Sequence, residues 1–143
     1  METQEIKLIK ESWKLILGNP FSAGLLFYVR FFAMSPELRP LYKVDHHFHV
    51  LAKELTGIVA RVLDGLDNID DIIKYVESHA RRLVKYGVTD AHYSIAGNSL
   101  IWTFEMSLGR LFTAEVRSAW LKCYSILSTA MINASRVTEQ PKV

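Results

Sequence analysis

Apolar residues recur every three or four positions along nearly the whole chain, the spacing that lines one face of an α-helix, and no stretch alternates as a strand does. Ile6, Ile9, Trp13 and Ile16 form the first stripe, with Thr3 placed to cap it and Gly18 to end it. Asn19 and Pro20 read as the cap and first position of a second helix, whose inner face is Gly24, Tyr28, Phe31 and Phe32. Ser35-Pro36-Glu37 opens a short third helix that reaches Tyr42. Residues 43–49 break the pattern and read as a loop. Leu51, Leu55, Ile58, Val59, Val62 and Leu66 resume it, and Gly65 to Asn68 interrupts it again. The next stripe is Ile72, Ile73, Val76, His79, Ala80 and Leu83, with Gly87 as its carboxyl-terminal cap. Thr89-Asp90 opens a helix carrying Ala96, Leu100, Phe104 and Leu108, closed by Gly109. Thr113-Ala114-Glu115 opens the last, with Val116, Trp120, Cys123, Leu127, Ala130 and Met131 inside. The polar residues that follow predict one all-α domain over residues 1–135 and a flexible tail over 136–143.

A chain of 143 residues suffices for one domain with a core that needs no disulfide. Half of it is hydrophobic and its mean hydropathy is +0.11, a surplus that points to a bound apolar cofactor, a subunit interface, or both. Seventeen basic against fifteen acidic residues are too even to imply nucleic acid as a partner. No apolar run is long enough to span a membrane. The single cysteine, Cys123, excludes an internal disulfide and suits a reducing, cytoplasmic setting, as a small buried residue rather than a nucleophile. No Ser/His/Asp set, glycine-rich phosphate loop or apolar carboxylate pair is present, so nothing argues for an enzyme. Asp70 and Asp71 read as first-turn acids at a helix amino terminus.

His79 is the conspicuous polar residue on an apolar stripe. Its bland explanation is a core histidine hydrogen-bonded to a neighbour; its sharper one is a ligand. His46, His47 and His49 lack the spacing of a built metal site and read first as a solvated loop. His92 reads as a surface residue near a helix start.

Ile9-Lys10-Glu11-Ser12-Trp13, Gly24-Leu25-Leu26-Phe27-Tyr28, Pro36 with Tyr42, Tyr86-Gly87-Val88 with His92-Tyr93, and Phe112-Thr113 with Ala119-Trp120 together resemble the globin family. The resemblance covers essentially the whole chain and is closest to bacterial single-domain globins of the neuroglobin-like kind. It implies a globin fold, with helices packed three over three, and a haem b pocket that binds a diatomic gas, oxygen or nitric oxide, for sensing or scavenging. Gly24 and Ala52 fall where two helices of that fold cross closely.

Carried over position by position, the resemblance puts Tyr28 on the distal side as a hydrogen-bond donor to the gas. Leu51 stands where histidine or glutamine is usual, Leu55 on the apolar position beside it, and Tyr42 where a phenylalanine stacks on haem. Arg82, within the basic group Arg81, Arg82 and Lys85, falls near a haem propionate. The proximal pattern departs from the family: Leu-x-x-x-His has become His79-x-x-x-Leu83. Both residues face the same way, but His79 stands one turn, about 5.4 Å, from the usual ligand position. His79 is the expected iron ligand after a shift of that helix, with His49 or Lys53 as a second ligand if the preceding helix start unwinds. The alternative is a haem-free sensor or interaction module. Because no proline separates Val50 from Tyr86, a fused rod of about 55 Å and a domain-swapped dimer are conceivable, against an ordinary turn and an ordinary homodimer.

Overall fold

The computed structural model describes residues 1–19, 22–40 and 48–139. Six α-helices carry the chain among them: α1 (Thr3–Leu17), α2 (Ala23–Met34), α3 (Phe48–Asp64), α4 (Ile69–Val84), α5 (Asp90–Leu108) and α6 (Ala114–Glu139). Short 3-10 turns follow α2 at Pro36–Leu38 and α5 at Gly109–Leu111. The helices pack three over three. None is long and apolar enough to cross a membrane among the described residues.

The starts and stops follow local chemistry. The hydroxyl of Ser22 accepts from the Leu25 amide at 3.3 Å, so α2 begins after Ser22 and not at Asn19. The side-chain amide of Asn19 is instead drawn to the distant carbonyl of Ser107, 3.0 Å away. After α4 the chain turns through Gly87 at φ 86, and the Val88 amide reaches back 3.3 Å to the Leu83 carbonyl. That is the bonding of a helix end closed by a left-handed glycine. Thr113 caps α6, its hydroxyl accepting from the Val116 amide at 3.2 Å. This helix runs on to Glu139, past the boundary at residue 135, because Ser135 is buried with its hydroxyl on the Met131 carbonyl.

Between α3 and α4 the chain turns at Gly65–Asn68, with the Asn68 amide on the Gly65 carbonyl at 2.9 Å. A Cβ on Gly65 would collide with Ile72, so glycine permits the close return of α4. The fused rod therefore does not form, and the ground for a domain swap goes with it. One chain closes its own core.

That core has two parts. Ile9, Trp13 and Ile16 of α1 meet Phe104 of α5 and Trp120 and Cys123 of α6. Trp120 stands 4.5 Å from Phe104 and 6.3 Å from Trp13 by ring centroids, and its indole N–H donates to buried Ser12 at 2.8 Å. Phe27, Tyr28, Phe31 and Phe32 of α2 form the second part with Leu38, Val88 and Tyr93. The helices α2 and α3 cross with backbones in contact: a Cβ on Gly24 would lie 2.7 Å from the Ala52 carbonyl oxygen. The expected close crossing is present.

His92 departs from its expected place at the surface. It is buried, because its ring serves two partners. Its Nδ1 accepts from the Thr89 amide at 2.9 Å, which leaves the proton on Nε2 to be donated to Glu37 Oε1 at 2.9 Å. Thr89 and His92 thus complete a capping box, and the histidine also straps the start of α5 to the turn after α2. That hydrogen bond holds the Glu37 carboxyl below its ordinary value of 4.5.

Gly24→Ala should destabilise the protein by about 1–3 kcal/mol, since its new methyl meets backbone that cannot step aside. Gly57→Ala on α3, where a Cβ meets nothing within 4 Å, should instead gain roughly 0.5–1 kcal/mol. Urea unfolding midpoints of the two variants check the contrast, and a Gly24→Ala midpoint at or above wild type would refute the close crossing. Glu37→Gln tests the strap. A depressed carboxylate stabilises above its unfolded pKa, and that stability is lost as pH falls through the folded value. The wild type should therefore be the more stable protein above pH 4.5, with the difference shrinking to nothing in stronger acid. Parallel pH–stability curves for the two proteins would exclude the strap.

Candidate functional site

Between the helices lies one large cavity of about 770 Å³, walled mainly by apolar side chains. Phe27, Tyr28 and Phe31 enter it from α2, and Leu51, Leu55 and Ile58 from α3. Val76, His79, Arg82 and Leu83 come from α4; Tyr93, Ala96 and Leu100 from α5; and Cys123, Leu127 and Met131 from α6. The size is that of a small-molecule or cofactor site. It exists because α3 and α4, joined by the turn at Gly65, stand on opposite sides of it while α5 and α6 close the back.

Of the residues expected from the sequence, the structure brings Tyr28, Leu51, Leu55, His79, Arg82 and Leu83 to this cavity. Tyr42, His46 and His47 lie outside the described residues. His49 does not join them. It is exposed on the first turn of α3 and absent from the cavity wall, as is Lys53, because the helix is already formed at Phe48 and turns both away from the face of Leu51 and Leu55. Among the described residues, no three His, Cys, Asp or Glu side chains gather as ligands for a metal ion.

Among the described residues, two imidazoles line the cavity. His92 has both ring nitrogens engaged, by Thr89 and Glu37. His79 is half-buried, its ring standing edge-on to Tyr75 with centroids 4.8 Å apart. Arg82, one turn on, sets a guanidinium nitrogen 2.6 Å from His79 Nδ1. A guanidinium only donates, so Nδ1 accepts. Burial first, and the Arg82 charge second, press the His79 pKa below its ordinary value of 6.5 and favour the neutral ring. Leu83 and His79 share the cavity face of α4, so the exchange read in the sequence places both where a cofactor would meet them.

Other wall residues carry polar atoms too, among them Glu54, Tyr93, Cys123 and Tyr124. The Tyr93 hydroxyl is buried, which raises its pKa, and the backbone carbonyl of the same residue accepts from Tyr124 at 2.6 Å. Cys123 is 3% exposed and burial pushes its thiol up to about 11, so it stays protonated and inert at neutral pH. The place of His92 was announced in the sequence by Thr89 three residues before it, a capping-box spacing whose third position usually holds Glu or Gln. Nothing local announced its partner Glu37, which stands 55 residues away.

Comparison with known proteins was made against this geometry. The model of the globin family matches residues 25–131. The neuroglobin of Chaenocephalus aceratus is 24% identical over 143 aligned positions, covering 92% of this chain and 90% of that protein. The neuroglobin of Danio rerio is 24% identical over 136 positions, covering 87% and 86%. Among solved structures, a hexacoordinated heme protein from an anhydrobiotic tardigrade, determined at pH 4, superposes with a TM-score of 0.83 at 16% identity, over 95% of this chain and 96% of that one. A family match that runs from α2 into α6, on a fold of the same architecture, shows that the chain belongs to the globin family.

Proposed function

We propose that the cavity holds haem b and that the protein binds a diatomic gas, oxygen or nitric oxide, in sensing or scavenging rather than bulk transport. The observation that carries this reading is the cavity itself. About 770 Å³ lined mainly by apolar side chains is the size of a cofactor site. Apolar walls of that extent call for a large, flat, apolar occupant. The haem protein among the structural relatives supports the same identity.

When bound, haem supplies an iron centre that accepts a small ligand. The chain's own residues define what surrounds it. His79 has Nε2 without a hydrogen bond among the described residues, and it is the imidazole we assign to the iron, with Leu83 packing beside it. Leu51 and Leu55 give α3 an apolar cavity face, and Tyr28, which lines the cavity from α2, is the residue we assign as hydrogen-bond donor to the gas. Arg82 offers a cation for a propionate. The kinship with bacterial single-domain globins, a cytoplasmic setting suited to the buried thiol of Cys123, and an ordinary homodimer using exposed apolar residues such as Val29 and Met106 belong to the same proposal.

A second reading keeps the fold and drops the haem. Leucine at both Leu51 and Leu83, together with the Arg82 hydrogen bond on His79, favours it. Titration with ferric haem separates the two: stoichiometric uptake with an intense Soret band is expected, and its absence would overturn the haem reading. His79→Ala should abolish the imidazole signature, and Leu83→His should restore ordinary proximal coordination. An unaltered spectrum in His79→Ala would show the wrong histidine was assigned. Tyr28→Phe should speed oxygen dissociation by about tenfold, the equivalent of about 1.4 kcal/mol for one lost hydrogen bond. An unchanged off-rate would remove Tyr28 from that role. Sedimentation of a monomer at micromolar concentration would exclude the homodimer.

A further inference from the structure

We propose that Arg82 is a latch on His79, holding the ring in the tautomer that cannot ligate iron until a carboxylate draws the guanidinium away. The inference rests on the haem reading and adds a condition for loading the site. Its basis is the 2.6 Å contact between the Arg82 guanidinium and His79 Nδ1. Guanidinium has no acceptor and does not give up its proton, so Nδ1 must present its lone pair. A neutral imidazole has one proton, and here it is forced onto Nε2. That is the nitrogen without a hydrogen bond among the described residues, and its lone pair is then spent on the proton.

Unlatching needs a shift of one proton. The Nε2–H bond breaks and an Nδ1–H bond forms, with solvent relaying the proton, and the ring's charge does not change. Nδ1–H and a guanidinium N–H cannot face each other at hydrogen-bond distance, so Arg82 has to leave first. Arg82 is exposed, and a porphyrin carboxylate would offer it a bidentate, charge-assisted partner in place of a neutral ring nitrogen. A porphyrin bearing propionates brings that carboxylate with it. The ligand that needs Nε2 thereby carries the group that releases it. Arg82 acts through His79 and is a positioning residue.

The first measurement uses the protein without any porphyrin. With ¹⁵N-labelled histidine at fixed pH, the His79 ring shifts should report Nε2–H alone in wild type and in Arg82→Lys, which keeps a donor. In Arg82→Leu the Nδ1–H form should appear. Identical ring shifts in Arg82→Leu and wild type would overturn the latch. The second measurement times imidazole–iron coordination after mixing with ferric haem or with its dimethyl ester, which has no free carboxylate. The ester should coordinate at least about tenfold more slowly than haem in wild type, and Arg82→Leu should erase that difference. Equal rates for the two porphyrins in wild type would overturn the release by carboxylate. If no variant takes up haem, the haem reading fails and the gating with it, while the ring shifts still decide whether Arg82 sets the tautomer.

Discussion

The contact on which the molecule depends is the crossing of α2 and α3 at Gly24 and Ala52, where two backbones touch with no side chain between them. It brings the aromatic face of α2 and the leucine face of α3 onto one wall. From there the turn at Gly65 returns the chain as α4 at a distance set by Ile72, and the space left between the two helices is the cavity. Neither small residue touches that space chemically. They determine its width, and so which occupants it admits.

Packing and chemistry are carried by different residues here. The two core clusters need only volume and hydrophobicity at the right period, and either would tolerate many substitutions of similar size. Polar side chains on the cavity wall, among them Tyr28, Glu54, His79, Arg82, His92 and Tyr93, stand among mainly apolar ones. His79 and Leu83, four residues apart, occupy the same face of α4, so which of the two positions holds the imidazole matters little to packing and sets where along that face a ring nitrogen is available.

The helices were legible in the sequence because each buries one face, and a buried face writes its period into the chain. The inner residues of α2 and α6 and the turn at Gly87 could be read from spacing, while the close approach at Gly24 followed from the resemblance to globins. The start of α2 was not, because Asn19 and Ser22 are both good caps and only the distant Ser107 carbonyl decides between them. His92 was misplaced for the same kind of reason: its burial comes from Glu37, on a segment that no local pattern connects to it. Period puts His79 and Leu83 on one face of α4, whereas the hydrogen bond from Arg82 depends on rotamers, which periodicity does not encode.

The hydrogen bond from Trp120 to Ser12 joins residues 108 positions apart, and it seals the first helix to the last. Helix α6 packs on α1, α4 and α5 and supplies the back wall of the cavity through Cys123, Leu127 and Met131. On a ribosome it emerges after the other five helices, so the nascent domain has no closed cavity and no partner for Ser12 until synthesis has passed that point. The aromatic and aliphatic walls meanwhile face water, which makes the interval before α6 docks the time of greatest demand on chaperones. Full enclosure of a ligand therefore waits until α6 has been made and docked.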